Sequence, residues 1–312
     1  VKLFKINIAL WVTVAALSCN SSHKIEGRQA KTTADFNFFV LGDWGRDGKF
    51  FQQDVAKQMI EKASELKPSF LMLTGDNFYD DGVKDIYDSH WKASFTDIYK
   101  ELTQKYPWYV SLGNHDYRGN PNAQIDYHAV NRNWILPKRY YSSVVKTNDG
   151  QAVRLICIDT SPWYSDYYTA GNMIGVRTQD TAAQRKWLTT TLANAKEPWK
   201  IVFGHHQVYS AALRGGTPEL EKILAPLLEK YKVQAYICGH DHNLQHNNPD
   251  NGYTDYFVSG GGSEVKDNPS FNKAKFAISS AGFADISIKG DSLSMSFINK
   301  DGAVIYRYAR AK

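Results

Sequence analysis

The sequence predicts one mixed α/β domain, and three observations carry that expectation. From Phe36 onward, apolar runs of strand length alternate with segments whose apolar residues recur at helical spacing. Five polar clusters each open just after a predicted strand. No repeat, low-complexity tract or internal linker divides the chain.

The elements follow in order. Phe36–Leu41 reads as a short apolar strand, and Phe51, Val55, Met59, Ala63 and Leu66 mark the first helix. Lys67-Pro68 stops that helix, because proline carries no N–H and disfavours helix before it. Ser69–Thr74 is the next strand, and Pro107–Leu112 follows a polar, aromatic helical region. Val153–Ile158 and Val233–Cys238 are apolar β-like runs in which Cys157 and Cys238 pack as small hydrophobes. Ala182, Trp187, Leu188, Thr191 and Leu192 mark a second helix, and Trp199–Phe203 is a strand. Leu220, Ile223, Leu224, Leu227, Leu228 and Tyr231 form a helical stripe, with a kink or break expected at Pro226. Two hairpin-like runs between Ala284 and Ala309 meet at Asn299-Lys300-Asp301-Gly302.

Composition bounds the function. A chain of 312 residues, 43% hydrophobic and 22% charged, can bury a full core, which excludes disorder, collagen and coiled coil. A mean hydropathy of −0.46 excludes a polytopic membrane protein. The net charge of +5 comes from scattered basic residues, so no nucleic-acid-binding module is expected. Residues 1–18 read as a signal peptide, with Lys2 and Lys5 before the apolar stretch Ile6–Leu17, and residues 19–34 read as a polar tether. Cys19 follows Ala16-Leu17-Ser18, as in a lipobox, so the expected destination is periplasmic or an outer-surface lipoprotein. The alternative is a plain secretory signal. Residues 35–312 are then the catalytic domain.

The chemistry lies in the five clusters: Gly42-Asp43-Trp44-Gly45, Gly75-Asp76-Asn77-Phe78-Tyr79, Gly113-Asn114-His115-Asp116, Gly204-His205-His206 and Gly239-His240-Asp241-His242. A single Gly-Asp after a strand is ordinarily a turn. Yet five of the nine histidines fall in three of these clusters, at the strand edge where layered α/β folds assemble ligand sites. The hard donors Asp43, Asp76 and a Tyr79 phenolate suit a trivalent ion, whereas His205, His240 and the Asn114 amide suit a divalent one. Asp76, with two oxygens, is the natural bridge. In His240-x-His242 an extended backbone sends both rings to one side.

These clusters resemble, in order, those of the purple acid phosphatases of the small animal type, within the calcineurin-like metallophosphoesterases. The strings Gly75–Tyr79, Pro107–Asp116 and Cys238–Gln245 are especially similar. The resemblance implies two packed mixed β-sheets flanked by helices, a four-layer sandwich in a single domain. It also implies Fe(III) on Asp43, Asp76, Tyr79 and His242, and a divalent Fe, Zn or Mn on Asp76, Asn114, His205 and His240. His115 would face the substrate phosphate. The expected activity is hydrolysis of phosphate monoesters, small-molecule or phosphoprotein, by a hydroxide that the metal pair holds. A phosphodiesterase or nucleotide hydrolase on the same site, or a non-catalytic surface lipoprotein, are the alternatives. The chain departs from that branch in three places. His206-Gln207 replaces Tyr-Pro, Leu213 and Arg214 replace a Glu-His pair, and the peripheral cysteines are missing. Arg214 can clamp a phosphate but does not readily release a proton, so His115 or His206 is the expected acid. The aromatic segment Ser161–Tyr168 either covers the site or packs at the domain edge. His23, His90, His128 and His246 are expected to be structural or exposed.

Overall fold

The computed structural model describes Val1, residues 36–266 and residues 274–312; the signal-peptide and tether expectations, Cys19 and His23 included, lie outside the described residues. Among the described residues fourteen strands form two seven-stranded sheets. In chain order they are β1 (Phe36–Leu41), β2 (Phe70–Thr74), β3 (Trp108–Ser111), β4 (Trp134–Ile135), β5 (Tyr141–Lys146), β6 (Ala152–Cys157) and β7 (Trp199–Phe203). Then come β8 (Ala235–Cys238), β9 (Leu244–Asn247), β10 (Asp255–Ser259), β11 (Ala274–Ile278), β12 (Gly282–Lys289), β13 (Ser292–Asn299) and β14 (Val304–Ala311). The first sheet runs β14-β13-β12-β1-β2-β3-β4 and the second β11-β9-β10-β8-β7-β6-β5. Both are mixed. β1 to β4 are parallel and β12 to β14 antiparallel, while β6, β7, β8 and β10 run parallel.

The two sheets share one apolar core. Phe38, Leu71, Val110 and Phe283 of the first sheet join Leu155, Ile201, Ile237 and Phe257 of the second. Strands apolar on both faces are what a doubly covered parallel sheet requires, and β1 and β2 are buried at every residue. A second cluster covers the other face of the second sheet. There Ile156, Val202, Tyr236 and Val258 meet Leu188 and Leu192 of the helix Thr181–Asn194, with Leu220, Leu224 and Leu228. The first helix, Gln52–Leu66, buries Val55, Ala56, Met59 and Ala63 and stops at Lys67, which turns left-handed. The stripe around Pro226 breaks as expected. One helix spans Pro218–Ile223 and the next Ala225–Lys230, placing proline in a first turn where its missing N–H costs nothing. The C-terminal region holds three antiparallel strands joined by two turns, the second at Asn299–Ala303. Cys157 and Cys238 are buried free thiols. Among the described residues no helix is long and apolar enough to cross a membrane.

All five polar clusters follow parallel strands. Three leave β1, β2 and β3, neighbours in the first sheet, and two leave β7 and β8, neighbours in the second. The C-terminal strand ends thus bring sequence-distant loops together.

A half-buried carboxyl in this framework sets a pH dependence of stability. Asp285 on β12 accepts a hydrogen bond from Asn37 Nδ2 at 2.9 Å, and burial, partly opposed by that amide, pushes its carboxyl up to about 6. The folded chain therefore prefers the protonated acid. That stability is present near pH ~4, around the ordinary carboxylate value, and is lost as pH rises through about 6. Thermal melts of Asp285→Asn should match wild type at the acid end and exceed it above neutrality.

Candidate metal centre

Each loop is bent sharply to aim a side chain inward. Asp43, Asp76 and His240 all take left-handed backbone conformations, with φ of 61°, 48° and 68°. Non-glycine residues are rare there, and such strain concentrates at functional sites. The adjoining glycines follow from packing. A Cβ on Gly113 would lie 2.2 Å from the Asp76 nitrogen, and one on Gly239 would lie 2.3 Å from Asp43 Oδ2.

The two carboxylates divide their work. Asp76 Oδ1 accepts the His115 N–H at 2.7 Å, and Asp43 Oδ2 accepts the His240 N–H at 2.9 Å, tying each to another loop. Their other oxygens point to the centre. Tyr79 Oη lies 3.0 Å from each of Asp43 Oδ1, Asp76 Oδ2 and His242 Nε2, and His242 Nε2 lies 3.4 Å from Asp43 Oδ1. On the other side, His205 Nε2 lies 3.3 Å from Asp76 Oδ2, 3.0 Å from Asn114 Oδ1 and 3.1 Å from His240 Nδ1. Asp76 Oδ2 therefore belongs to both groups. His205 Nδ1 donates to the Thr74 carbonyl at 2.9 Å, which turns the Nε2 lone pair toward those acceptors.

So many lone pairs facing one another, all buried, repel unless positive charge lies among them. The proton affinities record that field. Burial opposes charge on His205, yet the Asp76 and Asp43 carboxylates push it up to about 9. Burial opposes ionisation of Asp76 too, but His205, His115 and His240 hold it well below the usual carboxylate range. Burial and the two carboxylates push the Tyr79 phenol well up, so a phenolate there calls for a cation. The residues present fit a pair of metal ions: two donor groups share one carboxylate oxygen, one oxygen-rich and one imidazole-rich. Buried triads of possible donors include Asp43–Asp76–His205 and His205–His206–His240.

The remaining expected residues lie around this centre. His115 Nδ1 meets the Asp80 carbonyl at 2.5 Å, and its Nε2 stands 4.0 Å from Asp76 Oδ2. Arg214 reaches the edge of the site, with one guanidinium nitrogen 2.6 Å from His240 Nε2 and Nε 3.2 Å from Asp241 Oδ1. His206 is buried beside His240, ring centroids 4.4 Å apart, but both its nitrogens are engaged, by Thr160 Oγ1 at 2.8 Å and Tyr167 Oη at 2.9 Å. It therefore presents no free nitrogen to a substrate. The aromatic segment does reach the site, because Tyr164 stacks on His206. Trp44 packs beneath Asp43 against Phe78, Phe95 and Tyr99. His90 pairs with Asp47, His128 with the Trp134 carbonyl and His246 with Asp255, all outside the centre.

Three further residues support the centre from positions that the sequence pattern does not single out. Asp116 is buried and accepts the N–H groups of Asn77, Phe78 and Gly113, locking the second and third loops together. Arg46 lays its guanidinium 3.6 Å from the Tyr79 ring centre and pairs with Glu264 at 2.9 Å. Glu264 in turn lies 3.9 Å from His242 Nδ1, an otherwise unpartnered buried nitrogen. The first of these stood inside a recognised cluster; the others carry no local signal.

Two seven-stranded sheets with this donor set at their strand ends define a metal-dependent phosphoesterase, and residues 36–244 match the calcineurin-like phosphoesterase family. More narrowly, the chain belongs to the purple acid phosphatases. It is 31% identical to purple acid phosphatase 4 of Arabidopsis thaliana over 98% of this chain and 94% of that protein. It is 32% identical to human tartrate-resistant acid phosphatase type 5 over 88% and 90%. Its structure is similar to that of GAP50, the anchor in the inner membrane complex of Plasmodium, with a TM-score of 0.77, 27% identity and 89% of each chain covered. It is a phosphoric monoester hydrolase with a dinuclear, iron-containing metal centre.

The shared oxygen makes Asp76 the most demanding position. Asp76→Asn should weaken metal binding by more than the ~10–100-fold that outer-sphere changes cost. Elemental analysis of dialysed protein should find both ions depleted together; a full complement would contradict the bridge.

Proposed function

We propose that Asp43, Asp76, Tyr79 and His242 hold Fe(III), and that Asp76, Asn114, His205 and His240 hold a divalent Fe, Zn or Mn. The observation that carries this reading is Asp76 Oδ2, 3.0 Å from Tyr79 Oη and 3.3 Å from His205 Nε2. When bound, the pair supplies Lewis acidity toward phosphate oxygens and lowers the pKa of water at the site. The chain's own residues seat the substrate. His115, its Nδ1 held between the Asp80 carbonyl and Arg118, turns Nε2 toward the phosphate. Arg214, its side chain 43% exposed, is positioned to clamp a phosphate oxygen. The substrates are phosphorylated small molecules or phosphoproteins. Export by the leader, with a lipid on Cys19, would place the enzyme in the periplasm or on the outer surface.

Colour is the sharpest test. A phenolate on Fe(III) absorbs visible light by charge transfer, so oxidised protein should be violet to pink. Tyr79→Phe removes the phenolate and keeps the ring, so the band should vanish while the fold, followed by circular dichroism, survives. Iron-loaded wild type without a band, or a variant that keeps it, would overturn the Tyr79 assignment. His115→Ala should retain metal while turnover of a chromogenic monoester falls ~10²–10³-fold, the usual loss for one oriented donor.

A further inference from the structure

The hydrogen bonds around His206 single out one more group. Thr160 Oγ1 accepts the backbone N–H groups of His205 at 3.3 Å and His206 at 3.0 Å, which fills its two lone pairs. Its hydroxyl proton then goes to His206 Nδ1, 2.8 Å away. Nδ1 is therefore the acceptor, and the ring's proton sits on Nε2. That N–H donates to Tyr167 Oη at 2.9 Å. The Tyr167 hydroxyl has received a hydrogen bond and still holds its own proton, with no acceptor among the described residues.

That proton stands at the centre's edge. His206 packs against both His240 and His205, with ring centroids 4.4 and 4.8 Å away, so the hydroxyl it orients borders the divalent side. Tyr164 stacks on Tyr167 at 4.6 Å and holds the ring in place. Burial, then the Asp76 charge, push the Tyr167 phenol up, which keeps it a donor. Two nearby residues do not compete as proton donors to a leaving group: Arg214 does not readily release a proton, and both His206 nitrogens are occupied.

The geometry points to Tyr167 as a catalytic hydrogen-bond donor to the ester oxygen of the phosphate monoester, with Thr160 and His206 as the positioning residues that free its proton. This rests on the phosphatase activity above. As the P–O bond breaks, its electron pair stays on the leaving oxygen, where the Tyr167 O–H stabilises it. Water supplies the oxygen that phosphorus gains and the proton that the alcohol gains, and Tyr167 ends as it began. The donor matters most for leaving groups that hold negative charge poorly, so the class most dependent on it is alkyl monoesters, including phosphoserine-like esters.

The test compares wild type with Tyr167→Phe on glycerol 2-phosphate and on 4-nitrophenyl phosphate, with metal content matched. The loss in kcat/KM should be at least ~10-fold greater on the alkyl ester. Across substituted phenyl phosphates, the dependence of log kcat/KM on leaving-group basicity should steepen in the variant. A purely structural role would lower all esters alike, so equal losses, or no loss on glycerol 2-phosphate, overturn the proposal. Wild type inert on both esters would instead overturn the phosphatase activity, and the donor role with it.

Discussion

One buried carboxylate organises this molecule. Asp76 has an oxygen within 3.0 Å of a phenol and 3.3 Å of an imidazole, and another bound to the backbone of the next loop. Moving it would disturb both donor groups and the His115 loop at once. Its position depends on β2 being buried along its whole length, on a left-handed turn at its end, and on Gly113 leaving room. The charge it brings is too concentrated for an apolar interior without compensation. The pull of His205 toward protonation and the need for cations express the same electrostatic demand.

The framework was legible because its strands are short, apolar and closed by glycine. Phe36–Leu41 and Trp199–Phe203 occupy the expected residues, and the helix break falls beside Pro226. The seven candidate donors stood out because each sits at a strand end in a cluster rich in metal-binding side chains, and the structure brings all seven side chains together. Supporting residues were harder to read. Asp116 acts by accepting N–H groups up to 39 positions away, and Glu264 approaches His242 from beyond a glycine run. Such partnerships depend on which loops the sheets juxtapose, and local pattern does not encode that. His206 shows the converse case. Its residue type suggested proton transfer, whereas both its nitrogens are taken up by Thr160 and Tyr167, partners that the local sequence does not point to.

The site's support is aromatic as much as polar. Trp44, Phe78, Phe95, Tyr99 and Trp108 form a continuous set of edge and tilted ring contacts beneath the first two loops. Large rings with few rotatable bonds fill that space with little conformational freedom. Trp44 also donates its indole N–H to Asn77 Oδ1 at 3.2 Å, and Asn77 in turn donates to the Ser111 carbonyl at 2.8 Å. The strained turns therefore rest on a stiff floor that joins β1, β2 and β3. That stiffness matters because the donor atoms must hold their separations to a few tenths of an ångström.

The far side of the first sheet ends differently. β4 has two residues and offers a neighbour little to pair with, whereas β14 is an eight-residue strand with one flank unpaired among the described residues. Tyr306 and Tyr308 turn inward to His246 and Asp255, and Arg307 is exposed along the strand. Cations on a free edge make strand-to-strand stacking between molecules electrostatically unfavourable. A protein crowded at high local density could otherwise polymerise through this strand; its charged border instead favours colloidal stability, at the end of the sheet farthest from β3 and the His115 loop.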